Sequence, residues 1–270
     1  MKITKAIIPV AGWGTRRLPI AKTIEKCMLP IGNRPLIDYV VRDCLAAGIN
    51  ELIFVVGEDS TQLQDYYRSN IKLNDYLRRK GKPDLLPLVA PLKDVKLHFV
   101  TQPSHGKYGT AIPVGLAADY IGEGESAAVL MGDDFIYNAD GTSEIARLIA
   151  ATPEGECSLL AAKVPPNDVS RYGVLAMDDQ GNYQEIVEKP AIEDAPSDLI
   201  NISKYILTKK VIDACAKLPV SPRGEYELPD AINAYVAGGG RVKVVAAVGE
   251  YLDGGTLEGW LKANNVVCGR

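Results

Sequence analysis

The chain has 270 residues, 47% of them hydrophobic and 24% charged, with a formal net charge of -4. That length and apolar share predict one large domain with a proper core, or two small ones, and exclude a disordered or fibrous chain. The mildly acidic balance excludes a broad nucleic-acid-binding face, so any basic cluster is a local device.

The five cysteines are scattered without a CxxC spacing. This argues against a disulfide framework or a zinc site and for a reducing, cytoplasmic setting. No apolar run reaches the roughly 18 residues of a membrane span, and the run from Lys2 to Val10 is too short and too soon broken for a signal peptide.

Residues 6–10, AIIPV, read as the first buried strand. In PLIDYVVRDCLAAGIN, Leu36, Val40, Val41, Cys44 and Leu45 share one helical face, with Pro35 suited to the first turn and Gly48 to the stop. LIFVVG follows as the second strand, VKLHFVTQ and AAVLMGDD as two more, and GTAIPVGLAADYI between them as a helix despite Pro113. This βαβαβ opening predicts an α/β fold whose ligand site lies at strand carboxyl ends. Residues 66–92, basic and polar with proline and glycine near their end, read as a helical insertion. Beyond Glu156, CSLLAAKV, YGVLAMD, YQEIVEK, ISKYILT and VKVVAAV read as strands, with a turn at DDQGN, and KKVIDACAKL, ELPDAINAYVA and TLEGWLKAN as helices. No repeat or linker interrupts the chain, so a single α/β domain over residues 1–270 is expected.

The loop AGWGTRRLP, directly after the first strand, combines two glycines with Arg16 and Arg17, and Lys22 and Lys26 follow closely. Glycine-flanked amides can bend round an anion, and a guanidinium fork fits phosphate oxygens. The wording matches neither the dinucleotide fingerprint, since Arg17 stands at its third glycine, nor GxxxxGK[ST]. A tight βα turn with solvent-facing arginines is the simpler reading of the glycines alone. Trp13 either covers a nucleotide or packs on its own scaffold.

In LMGDDF an apolar strand stops at Asp133 and Asp134, and Asp253 of EYLDGGT follows another strand-like run. Singly each reads as a turn or cap residue. Together with the cationic loop they form a metal and polyphosphate site, because Mg2+ takes one or two protein carboxylates and leaves its other positions to water and substrate. This requires Asp253 to meet Asp133 and the opening loop in space. Glu227 and Asp230 read as acids favoured at a helix start, with a sugar-site role as the alternative.

Gly12-Trp13-Gly14-Thr15-Arg16, Leu18-Pro19, Lys26 and Met28-Leu29-Pro30 resemble the signature GxGTRxLPxTKxxPKxMLP of the sugar-1-phosphate nucleotidyltransferases. QPSHGKYGTA, GDDF, YGVL, VEKP, GEYELPDAI and YLDGGT follow in that family's order. The insertion and the GKYG wording resemble the uridylyltransferase branch more than the thymidylyltransferase branch. The resemblance implies a Rossmann-like fold with a mixed, mainly parallel sheet and helices on both faces. It also implies a homodimer or homotetramer, and transfer of a uridylyl group from UTP to glucose 1-phosphate with Mg2+.

By the same resemblance, Ala11, Gly12, Gly14 and Thr15 belong to the nucleotide loop, Arg16 holds the departing pyrophosphate, and Lys26 touches phosphate at the reacting centre. Gln102 reads the uracil edge and Gly109 lies against base or ribose. Asp133 and Asp253 bind the metal. Gly173, Glu188, Lys189 and Ser203 form the sugar-phosphate side. Three departures stand out: Glu25 where the signature has proline, Cys27 where this branch has glutamate, and Ser203 where glycine is common. The alternatives are a transferase for dTTP or another hexose 1-phosphate, and a non-catalytic nucleotide-sugar-binding regulator.

Overall fold

A computed structural model describes residues 2–270. Strand β1 (Lys5–Pro9) divides its side chains as a pleat requires, Ala6 and Ile8 entering one core and Ile7 the other. A short hairpin, β2 (Pro30–Ile31) with β3 (Arg34–Pro35), leads into α1 (Leu36–Ala46). Pro35 stands just before its first turn, and Gly48, at φ 82°, ends it by donating its N–H to the Leu45 carbonyl at 3.0 Å.

The chain continues through β4 (Glu51–Gly57), α2 (Gln62–Tyr67), α3 (Ile71–Arg79) and a 3-10 segment at Pro83–Val89 to β5 (Lys96–Gln102). Next come α4 (Ala111–Leu116), β6 (Ser126–Leu130), β7 (Asp134–Tyr137) and α5 (Glu144–Ala151). The expected helix over GTAIPVGLAADYI is divided into α4 and a 3-10 turn, with Pro113 in the first turn of α4, where its missing N–H costs little. The second half supplies β8 (Cys157–Lys163), β9 (Gly173–Met177), β10 (Tyr183–Glu188) and β11 (Leu199–Thr208). It closes with α6 (Lys209–Cys215), α7 (Leu228–Ala237), β12 (Val242–Ala246), β13 (Glu250–Asp253) and α8 (Leu257–Val267).

The central sheet is mixed, as expected. Its spine runs β10-β9-β11-β6-β1-β4-β5, with β8 beside β11 and β12 beside β8. β6, β1, β4 and β5 are parallel, so their carboxyl ends open on one side; β11 joins antiparallel to β6 and β8. Helices α1 and α5 cover one face through Val40, Val41, Ile145 and Leu148. Helices α4, α6 and α7 cover the other through Val114, Ile212 and Ile232.

β11 carries a bulge. Its pairing with β8 jumps from Asn201↔Ala161 to Tyr205↔Leu159, and within the jump Ser203 takes φ 54°. β7 and β13 form a separate two-stranded antiparallel sheet. Neither strand, nor α5, was expected from the sequence.

Candidate active site

Beyond β1 the chain winds through 3-10 turns at Thr15–Arg17, Ile20–Lys22 and Lys26–Met28. Gly14, at φ 64°, sits where an added Cβ would lie 3.2 Å from Lys26 Cβ and 3.3 Å from Ala21 Cβ, so the loop folds closely onto Lys26. Arg16 reaches the turn after β13: a Cβ on Gly255 would meet Arg16 Nη2 at 3.1 Å and Asp253 Oδ1 at 2.9 Å. Arg17 turns the other way, only 6% exposed, with its guanidinium 5.3 Å from the centre of the Trp260 ring. Trp13 is 68% exposed and lies outside the cavity lining, so most of its ring is not packed on the scaffold.

The two distant carboxylates converge. β13 pairs with β7 so that Asp253 stands opposite Asp134, and Gly254 N donates to the Asp133 carbonyl at 3.0 Å. Gly254 permits this approach, since a Cβ there would lie 2.0 Å from Leu36 Cδ1. Lys26 Nζ donates to Asp133 Oδ2, and Asp253 Oδ1 accepts from Gly255 N at 2.7 Å. Burial pushes the Asp133 carboxyl up, but the charge and hydrogen bond of Lys26, with Lys204 and Arg16 beyond, hold it below the usual carboxylate range.

Asp134 lives differently. Buried beside Asp133, it accepts from Lys204 Nζ and, at 3.1 Å, from the Tyr251 hydroxyl. Its carboxyl is raised, by burial first and by the neighbouring charges of Asp133 and Asp253, against the pull of Lys204. Lys204, buried in the β11 bulge, is a partner that no local pattern in ISKYILT announces.

These groups border a cavity of about 720 Å³. Sheet order lays out its lining: Gln102 ends β5 on one side, with Ala11, Gly12 and Gly109; Arg16, Lys26, Asp133 and Asp253 stand by β1 and β6 in the middle; Gly173, Glu188, Lys189 and Ser203 stand by β9, β10 and β11 on the other side. Gly14 and Thr15 do not line it; they shape the loop behind. Gln102 Oε1 is buried with no hydrogen-bond donor. Gly109 takes φ 136°, and a Cβ there would lie 2.2 Å from the Tyr226 carbonyl oxygen. A Cβ on Gly173 would lie 2.9 Å from Glu188 Oε2. Lys189 is held at φ 48° with its N–H on the Tyr172 carbonyl at 2.9 Å.

Glu225 and Glu227 also line this second side. Glu227 begins α7 but makes no side-chain cap bond; it is 6% exposed, raised by burial against Arg223, whose Nη1 lies 3.4 Å from it and 3.7 Å from Glu188. Its side chain therefore forms part of the cavity wall at the start of α7. The segment GEYELPD carried that signal, two acids on an alternating stretch before a proline-started helix.

A parallel-stranded α/β core with cations from the first loop facing carboxylates from two later turns is the layout of an enzyme that handles phosphorylated substrates. The chain belongs to the nucleotidyl transferase family, whose model matches residues 5–269. Over 243 residues it is 37% identical to the UTP--glucose-1-phosphate uridylyltransferase of Streptococcus pneumoniae serotype 4, a match covering 86% of this chain and 79% of that one. The solved UTP-bound UGPase from Acinetobacter baumannii superposes with a TM-score of 0.87 at 30% identity, covering 98% of this chain and 93% of that chain. A UDP-glucose pyrophosphorylase complexed with UDP-glucose gives 0.84 at 29% identity, with 99% of each chain covered. The family resemblance in the signature loop holds over the whole fold. No helix among the described residues is long and apolar enough to cross a membrane.

Proposed function

We propose that this protein transfers a uridylyl group from UTP to glucose 1-phosphate, giving UDP-glucose and pyrophosphate. The observation that carries the reading is the meeting of Arg16, Lys26, Asp133 and Asp253 in the middle of one cavity, between a side lined by Gln102 and a side lined by Glu188 and Lys189. The names borne by the relatives and neighbours agree with it.

The chemistry asks for position and charge. A phosphate oxygen of glucose 1-phosphate, already anionic near neutral pH, attacks the α-phosphorus of UTP; a new P–O bond forms as the bond to the β-phosphate oxygen breaks, and pyrophosphate leaves with that electron pair. No general base is needed. Lys26 lies against the α-phosphate and Arg16 against the departing pyrophosphate, opposing the charge that builds there. Gln102 Oε1, lacking a donor in the protein, accepts from the imide N–H of uracil. Ala11 and Gly12 present backbone to the base, and Gly109, packed closely on the Tyr226 backbone, lies against base or ribose. Gly173 packs on the hexose, Glu188 accepts from its hydroxyls, and Lys189 pairs with its phosphate. Ser203 narrows the hexose wall.

The donor set fits Mg2+. Of the four carboxylate oxygens of Asp133 and Asp253, Oδ2 of Asp133 and Oδ1 of Asp253 carry hydrogen bonds among the described residues, which leaves one hard oxygen on each of these two cavity-lining side chains for the ion. Two carboxylates are as many as Mg2+ usually takes from protein, with substrate oxygens and water completing its shell. When bound, Mg2+ neutralises triphosphate charge and polarises the α-phosphate.

Residues 1–270 form one nucleotidyltransferase domain with a helical insertion near 66–92, and its free cysteines fit a cytoplasmic setting. A homodimer or homotetramer would cover the exposed Tyr66, Ile71 and Tyr76. Purified protein mixed with UTP, Mg2+ and glucose 1-phosphate should release pyrophosphate. Faster release with dTTP, or with another hexose 1-phosphate, would reassign the substrate, and release with none would leave a binding protein.

A further inference from the structure

The position before Lys26 is the one at which the signature carries proline and this chain carries Glu25. Every polar group of Glu25 is engaged. Its carboxylate Oε1 accepts from the backbone N–H of Thr61 at 3.1 Å and of Gln62 at 2.9 Å, and Oε2 accepts from the Ser60 hydroxyl at 2.7 Å. Its own N–H donates to Gln62 Oε1 at 3.0 Å, and Gln62 Nε2 donates to the Thr23 carbonyl at 2.6 Å. Its carbonyl accepts from Met28 N at 2.8 Å, opening the turn that carries Lys26.

Thr61, the residue before the first turn of α2, makes no side-chain cap bond of its own, so Glu25 supplies the missing acceptor from another part of the chain. Glu25 sits at φ -54°, inside the range that a proline ring would impose. The conformation is therefore held by reciprocal hydrogen bonds between two loops instead of by a ring. In front of this anchor, Lys26 has Gly14 against its stem and Asp133 at its tip.

We propose that Glu25 and Gln62 form a clamp that positions Lys26, fixing the ammonium at the reacting centre by tying the first loop to the turn between β4 and α2. The proposal rests on the reading of Lys26 as a group that touches phosphate. Glu25 itself touches no substrate; it acts through its neighbour. A clamp of this kind acts on the geometry of the reacting step more than on capture of UTP, so its loss should appear in kcat.

The test compares wild type, Glu25→Ala, Gln62→Ala, the double variant and Glu25→Gln in steady-state pyrophosphate release, with thermal unfolding alongside. Each alanine variant should lose about tenfold or more in kcat with KM for UTP moving less than about threefold, as a small misplacement of a catalytic group does. Because both substitutions open one clamp, the double variant should be no more than about twofold worse than the poorer single one. Glu25→Gln keeps an acceptor for the two N–H groups and should recover kcat to within about threefold of wild type. A kcat near wild type in both alanine variants, losses confined to KM, or losses that multiply in the double variant would overturn the clamp. Should Glu25→Ala fail to fold, the half-buried Gln62→Ala decides alone. Amide exchange separates this inference from the one beneath it: faster exchange over residues 20–29 in both variants supports the clamp even if the wild type transfers no uridylyl group, and unchanged exchange overturns it.

Discussion

Replacing Lys26 by alanine separates a catalytic ammonium from a structural one. The Lys26 and Asp133 side chains are 18% and 27% exposed, so cavity water screens their pair, and Arg16 and Lys204 remain to compensate Asp133. Loss of the pair should then cost folding about 1 kcal/mol, toward the surface end of the range for ion pairs. A positioned donor facing charge that develops in the transition state is worth roughly 2.7 to 4 kcal/mol, or about 100- to 1,000-fold in rate. Urea unfolding and saturating pyrophosphate-release kinetics measure the two quantities on the same preparation. The reasoning fails if kcat stays within about tenfold of wild type, or if the activity lost follows the fraction unfolded; either result would make Lys26 a counterion for Asp133 and no more.

Gly109→Ala places a methyl on the Tyr226 backbone at a φ of 136°, so about 3 kcal/mol of stability and at least tenfold in KM for UTP should be lost; wild-type unfolding and KM would show that the loop opens freely. Glu144, 1% exposed, accepts from Val248 N at 2.9 Å and Gly249 N at 2.7 Å. Burial raises its carboxyl, yet those N–H groups, Asn138 and Arg147 bring it below the ordinary 4.5. The stabilisation from the ionised form is thus complete above that pH and lost as pH falls through the folded value. Glu144→Gln should cost about 2 kcal/mol near neutrality, and the gap should narrow on acidification; a gap of constant size down to pH 3 would contradict the assignment. Ser203→Gly removes a side chain held at φ 54°, and relief of that strain is offset by glycine's freedom in the unfolded chain, so stability should change by less than about 1 kcal/mol. Its effect should fall on the ranking of hexose 1-phosphates, and an unchanged ranking would place Ser203 outside the hexose contact.

The strands and helices that carry the cavity were largely legible because each advertises itself locally. β1, β4 and β6 are short apolar runs, α1 has its apolar stripe between Pro35 and Gly48, and α7 starts at a proline. The elements that escaped notice depend on partners far away. β7 and β13 are four residues each and exist only through one another, so neither shows a period of its own. Lys204 reads as one polar residue in a strand until the bulge turns it toward Asp134. Helix α5 is a different case: Ser143 accepts from Ala146 N at 2.9 Å, and Ile145 and Leu148 are spaced for one face, a signal present in SEIARLIAA. Glu25 was visible as a departure from the signature, but its consequence lay in Ser60, Thr61 and Gln62, which only the folded chain brings to it.

The pairing of β7 with β13 also sets a timetable. A ribosome delivers Arg16, Lys26 and Asp133 early, while β7 leaves the exit tunnel with both edges open and Asp253 still untranslated. At the general pace of roughly 5 to 20 residues per second, that interval is on the order of ten seconds. Throughout it the nascent protein carries Arg16 and Lys26 without the downstream aspartate that shares their cavity. On the proposed reading of Asp253, competence therefore arrives late, with one four-residue strand.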